Sequence, residues 1–122
     1  MLKPLMVVSG LVEIVFGVSA LIAPLLVVAA VGGTASDTPT LAMIRLAGAA
    51  TFGLGVAALL ARRHLETPGG LAAAFGLGLY NVLAATALVF AALSAGGQGL
   101  WGGAALHVVI GALFCYALAT RR

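Results

Sequence analysis

The chain has 122 residues, 63% of them hydrophobic and only 7% charged, with a mean hydropathy of +1.23. A soluble domain carries about a quarter of charged residues, so this composition excludes that class and assigns the chain to a lipid bilayer. The formal charge of +3 comes from six Lys/Arg and three Asp/Glu scattered along the chain; they make no basic face, and nucleic acid is excluded as a partner.

Four apolar stretches follow in chain order: Leu5–Val31, Leu41–Ala61, Leu71–Ala95 and Leu100–Ala119. Each reaches the ~20 residues that a helix rising ~1.5 Å per residue needs to cross a ~30 Å hydrocarbon core. Short connections make neighbouring spans antiparallel. The expected fold is therefore a single all-α membrane domain over residues 1–122, a four-transmembrane-helix up-down-up-down bundle. The rest of the chain is too short for a soluble domain, so binding or catalysis takes place within or beside the membrane.

The first stretch is long enough that it must tilt or bend, and Pro24, which lacks an amide hydrogen, predicts a kink near Ala20. It does not read as a cleaved signal peptide, because Glu13 interrupts the apolar region and the stretch is too long. The next connection, Gly32–Thr40, is the longest and the one candidate lid. In it Thr38-Pro39 reads as a helix cap with proline at the first helical position. Pro68-Gly69-Gly70 reads as the turn closing the second connection, and Ser94–Gly99 as a flexible turn before the last span. The single Cys115 has no partner for an internal disulfide and reads as a packing residue, which excludes Cys-x-x-Cys redox chemistry. Trp101 and Tyr116, near opposite ends of the last span, read as interfacial anchors.

Alternating spans bring Lys3, Arg62–Arg63 and Arg121–Arg122 to one side, while the opposite connections contain Asp37 and no cation. Lys and Arg in short loops are retained on the cytoplasmic side. Both termini are therefore expected in the cytoplasm of a bacterial inner membrane, with Arg62, Arg63 and His64 in a solvated turn that meets anionic head groups.

Seventeen glycines mark the interior faces, because in lipid small residues let helix backbones approach where no hydrophobic effect drives association. Gly10, Glu13, Gly17, Ala20 and Pro24 recur at steps of three and four along one stripe of the first span. Arg45 shares a face with Gly48 and Gly55, Asn81 with Gly78 and Ala85, and His107 with Gly103 and Gly111.

Each span thus carries one group that is costly in hydrocarbon: Glu13, Arg45, Asn81 and His107. Such groups face the bundle interior and find partners, which makes them the default functional site. At ~1.5 Å per residue from the cytoplasmic boundary, Glu13 and Asn81 lie ~12 and ~15 Å deep, and His107 and Arg45 ~20 and ~24 Å. Convergence near the midplane is the expectation. There Glu13, held ionised by Arg45, would act as a base or orient His107, and His107 would exchange a proton with a bound lipophile. Asn81, Tyr80 and Thr51 would fix the substrate, and Thr86 could add a hydroxyl. The alternatives are structural: Glu13 and Arg45 as a clamp between two helices, Asn81 as an interhelical hydrogen-bond donor, and His107 as a group satisfied by a neighbour. No metal cluster is expected, since the two histidines fall on opposite sides of the membrane, and no cofactor motif is present.

The stretch Ser9-Gly10-Leu11-Val12-Glu13-Ile14-Val15 resembles the start of small multidrug resistance transporters, four-helix proteins whose first helix carries one essential glutamate behind a glycine. That resemblance covers about fifteen residues and implies proton-coupled export of hydrophobic cations through Glu13. The aromatic-rich third-helix motif of those transporters is absent. A second resemblance covers most of the chain. Gly10 through Pro24, then Arg45-Leu46-Ala47-Gly48 running into Gly53-Leu54-Gly55 and ending at Arg62-Arg63, looks like the small DoxX-like four-helix bacterial membrane proteins. It implies the fold and an interior arginine at the start of span two, and no catalytic residue. It is preferred for that interior arginine, which in the transporter reading would compete with a cationic substrate for Glu13.

The function expected from the sequence is thus an intramembrane polar site that binds or transforms a lipophilic small molecule, by proton-transfer chemistry such as isomerisation or cyclisation. The alternatives are the exporter and a structural subunit of a larger membrane complex. Membrane lipid is the expected surrounding partner, and the sequence allows a homodimer.

Overall fold

The computed structural model describes residues 1–121, which form helices and their connections: α1 (Leu2–Ile22), α2 (Pro24–Ala30), α3 (Thr38–Ala61), α4 (Pro68–Ala95) and α5 (Gln98–Ala119). Four of these, α1, α3, α4 and α5, are long and apolar enough to cross a membrane, and the chain is a multi-pass, all-α, four-span bundle. Large side chains such as Ile22, Leu26, Leu46, Leu60, Phe90 and Leu93 are exposed. In water they would drive aggregation; in lipid they are the ordinary outer surface.

The first apolar stretch is two helices, not one kinked span. The last bond of α1 runs from Ala23 N–H to Ser19 O, and α2 starts at Pro24, with Leu26 N–H bonded to Ala23 O. Pro24 has no hydrogen for Ala20 O, and the non-helical turn at Ala23 carries Leu25 N–H away from Leu21 O. The break therefore falls at Ala23, three residues beyond the expected kink, because proline is accommodated at the first position of a new helix more cheaply than inside an old one.

Two other starts also differ from expectation. Asp37, not Thr38, caps α3: its carboxylate accepts from Thr40 N–H at 2.9 Å. Pro68-Gly69-Gly70 opens α4 instead of forming a turn before it, since the Thr67 hydroxyl accepts from Gly70 N–H at 3.1 Å and Pro68 lies in the first turn. The turn before α5 shortens to Gly96 and Gly97, whose φ values of 69° and 105° suit glycine alone.

The bundle consists of two tightly packed antiparallel pairs, α1 with α3 and α4 with α5, joined more loosely to each other. The α1–α3 seam is a backbone contact built by glycines seven residues apart on each helix. A methyl group added to Gly17 would come 2.7 Å from the Gly48 carbonyl oxygen, and one on Gly55 would come 2.5 Å from that of Gly10. This close approach is the gain that small residues provide in lipid, where dispersion replaces the hydrophobic effect. In the second pair Gly78 receives the Phe114 ring and Gly111 faces Val82.

The pairs are fastened at both ends. At one end Leu2, Met6, Leu65, Leu77 and Phe114 belong to a single buried apolar cluster. Arg121 donates to Leu65 O at 2.5 Å and lies 3.8 Å from Glu66. Lys3, Arg62, Arg63 and Arg121 thus share this end; Arg122 lies outside the described residues. At the other end Gly99 packs against the Ala30 backbone. Cys115 is exposed on α5, so the packing role expected for it does not hold.

Candidate functional site

Directly beyond the apolar cluster, α1, α4 and α5 meet at Ser9, Asn81 and His107. Asn81 is fully buried, and its amide makes three contacts. Asn81 Nδ2 donates to Leu77 O at 2.8 Å, one turn back on its own helix, and to Ser9 Oγ on α1 at 3.1 Å. Asn81 Oδ1 lies 2.9 Å from His107 Nδ1 on α5. A carbonyl only accepts, so Leu77 O fixes which end of the amide is nitrogen. Across the bundle Asn81 Oδ1 likewise only accepts, so His107 Nδ1 carries the hydrogen and, in the neutral ring, Nε2 is a bare acceptor.

The Tyr80 ring meets His107 edge to face, with centroids 5.8 Å apart at 83°. Its hydroxyl lies beside the Glu13 carboxyl group. Glu13 is only 1% exposed, one helical turn beyond Ser9, and its Oε1 has no hydrogen-bond partner among the described residues. Glu13, Tyr80, Asn81, His107 and Ser9 therefore form one polar cluster inside the bundle.

Arg45 is not part of it. Its Nε donates to Leu21 O at 3.3 Å, at an exposed position two helical turns beyond the level of Glu13. The expected ion pair with Glu13 is absent; Arg121 with Glu66 is the ion pair found among the described residues. The reason lies in the Pro24 break, which strips Leu21 O of its helical donor and gives the guanidinium a nearer acceptor. Arg45 accordingly caps the broken helix and stands apart from the Glu13–Asn81–His107 cluster. Thr51 is buried on α3 at the level of Glu13, but its hydroxyl is engaged by Gly48 O of its own helix at 3.1 Å. It is not joined to the cluster by a hydrogen bond.

Ser9, not among the site residues expected from the sequence, belongs to the cluster. Its signal was available: a small polar residue four positions before Glu13, on the same helical face.

His107 is also the inner wall of an apolar groove of about 430 Å³ between α4 and α5, lined further by Val82, Thr86, Val89, Phe90 and Val108. That volume falls in the range of small-molecule sites. Thr86 is the other polar side chain of its lining, and its hydroxyl donates to Val82 O at 2.9 Å. Among the described residues no group of three or more His, Cys, Asp or Glu could hold a metal ion.

In comparisons with protein-family models, curated proteins and solved structures, nothing matches the chain.

Proposed function

We propose that the protein binds a lipophilic small molecule in the α4–α5 groove, with the molecule's polar group on His107. The observation that carries this reading is the Asn81–His107 bond: a fully buried amide holds one imidazole nitrogen while the same ring lines an apolar groove. The basic residues gathered at one end support a cytoplasmic location for both termini in a bacterial inner membrane. The DoxX-like resemblance adds nothing on ligand or chemistry.

On this reading His107 Nε2 accepts a hydrogen bond from the bound molecule's polar group, with the Tyr80 ring against the imidazole and Glu13 beside the Tyr80 hydroxyl. The test is photolabelling in nanodiscs with a diazirine-bearing isoprenoid lipid. Labels are expected on Val89 and Val108 and are lost in His107→Leu. Labelling spread evenly over lipid-facing positions such as Leu11 and Leu46 contradicts the reading.

One observation favours a second reading. Glu13 is buried without a cationic partner, so the objection that Arg45 would compete with a cationic substrate falls away. Proton-coupled export through Glu13 then requires that Glu13→Gln abolishes resistance to a hydrophobic cation while Arg45→Ala keeps it.

A further inference from the structure

We infer that the α4–α5 groove selects lipophiles bearing a hydroxyl, an alcohol or a phenol, over carbonyl or ether analogues of the same size. The inference rests on the binding reading above and names the ligand class of that site. It follows from the direction of each hydrogen bond at the groove. Leu77 O fixes Asn81 Nδ2, Asn81 Oδ1 fixes the hydrogen on His107 Nδ1, and His107 Nε2 is left as a lone pair. No anion bonds the ring among the described residues, and a cationic imidazolium facing lipid would be costly, so the neutral form is the relevant one.

The second polar side chain of the lining points to the same class independently. Thr86 donates its only hydroxyl hydrogen to Val82 O, which leaves its oxygen as an acceptor too. Both polar side chains of the lining therefore offer lone pairs and no free hydrogen, while Val82, Val89, Phe90 and Val108 supply apolar walls. A ligand hydroxyl can donate to this surface. A ketone or an ether would set its own lone pairs against those of the protein and lose the water that had solvated them.

The test compares farnesol with farnesyl methyl ether, titrated into the protein in nanodiscs with 15N-labelled histidine. His107→Gln assigns the signals against those of His64. The free protein is expected to show His107 protonated at Nδ1 and bare at Nε2. Farnesol should shift the Nε2 signal and bind about tenfold or more tightly than the ether, a difference of the size that one lost hydrogen bond produces. Thr86→Val keeps the volume and removes one acceptor, so it should weaken farnesol severalfold and leave the ether unchanged. Equal binding of the two probes in the groove, or a proton found on Nε2, overturns the selectivity while leaving the binding reading intact. Failure of both probes to perturb His107 overturns the binding reading and the selectivity with it.

Discussion

Arg45 and Leu21 are joined across the helix break: the guanidinium Nε donates to the Leu21 carbonyl at 3.3 Å, where Pro24 and Ala23 have removed the donor that an unbroken helix would supply. Replacing Arg45 with Met leaves that carbonyl without its side-chain donor and is expected to cost about 1–2 kcal/mol, the usual loss for one such group. Unfolding in detergent measures it. Because Arg45 does not pair with Glu13, a double-mutant cycle of Arg45→Met with Glu13→Gln should be additive within about 0.5 kcal/mol. A coupling of several kcal/mol would restore the ion pair.

The α1–α3 seam makes a contrast among glycines. Gly17→Ala drives a methyl group to 2.7 Å from the Gly48 carbonyl oxygen and the Phe52 backbone, whereas at Gly53 and Gly76 nothing lies within 4 Å of such a group. Gly17→Ala should destabilise by about 1–3 kcal/mol, as overpacking does, and Gly53→Ala and Gly76→Ala should be neutral or slightly stabilising. Thermal unfolding of the three variants in one detergent decides it.

How much of this was legible in the sequence follows from which forces were local. The stripe of Gly10, Glu13, Gly17, Ala20 and Pro24 is buried throughout, as its helical period requires, and Asn81 lies buried between Gly78 and Ala85. Those are single-helix regularities, and they bring Glu13, Tyr80, Asn81 and His107 to the same interior. Arg45 escaped the reading because its partner is a backbone carbonyl, and Leu21 O becomes an acceptor only when the helix breaks at Ala23 instead of kinking. The expected convergence near the midplane requires Arg45 to reach inward. A closer unsatisfied carbonyl won. Thr51 stands apart from the cluster for a similar reason, since Gly48 O lies within reach on its own helix. Cap positions moved by one to three residues because Asp37 and Thr67 compete with their neighbours for the same role.

Asp37 sets a pH dependence in the connection before α3. The Thr40 N–H bonded to its carboxylate holds Asp37 below its ordinary pKa of 3.8. A depressed value means that the cap's contribution is fully present above pH 3.8 and is lost as pH falls through the lowered value. Hydrogen exchange at the Thr40 amide should therefore be constant from neutral pH down to that range, after correction for intrinsic rates, and lose protection below it. Asp37→Asn, which retains an accepting oxygen, should flatten this dependence without removing the cap.

Asn81 holds two helices through Ser9 and His107, so Asn81→Leu should do more than Ser9→Ala. The former removes all three contacts and leaves Leu77 O without its side-chain donor and His107 Nδ1 without its acceptor; the latter removes one contact. Losses of about 2–3 and about 1 kcal/mol are expected, from the cost of unsatisfied buried groups. Freed from Asn81, the imidazole should also show both tautomers in its 15N spectrum, a change that a packing defect alone does not produce.

The most direct measurement is a structure determined in lipid. Elongated density is expected in the groove between α4 and α5, between the Val89 and Val108 walls, ending within hydrogen-bond distance of His107 Nε2. A groove closed by its own side chains, with Nε2 bonded to a protein group, would contradict it.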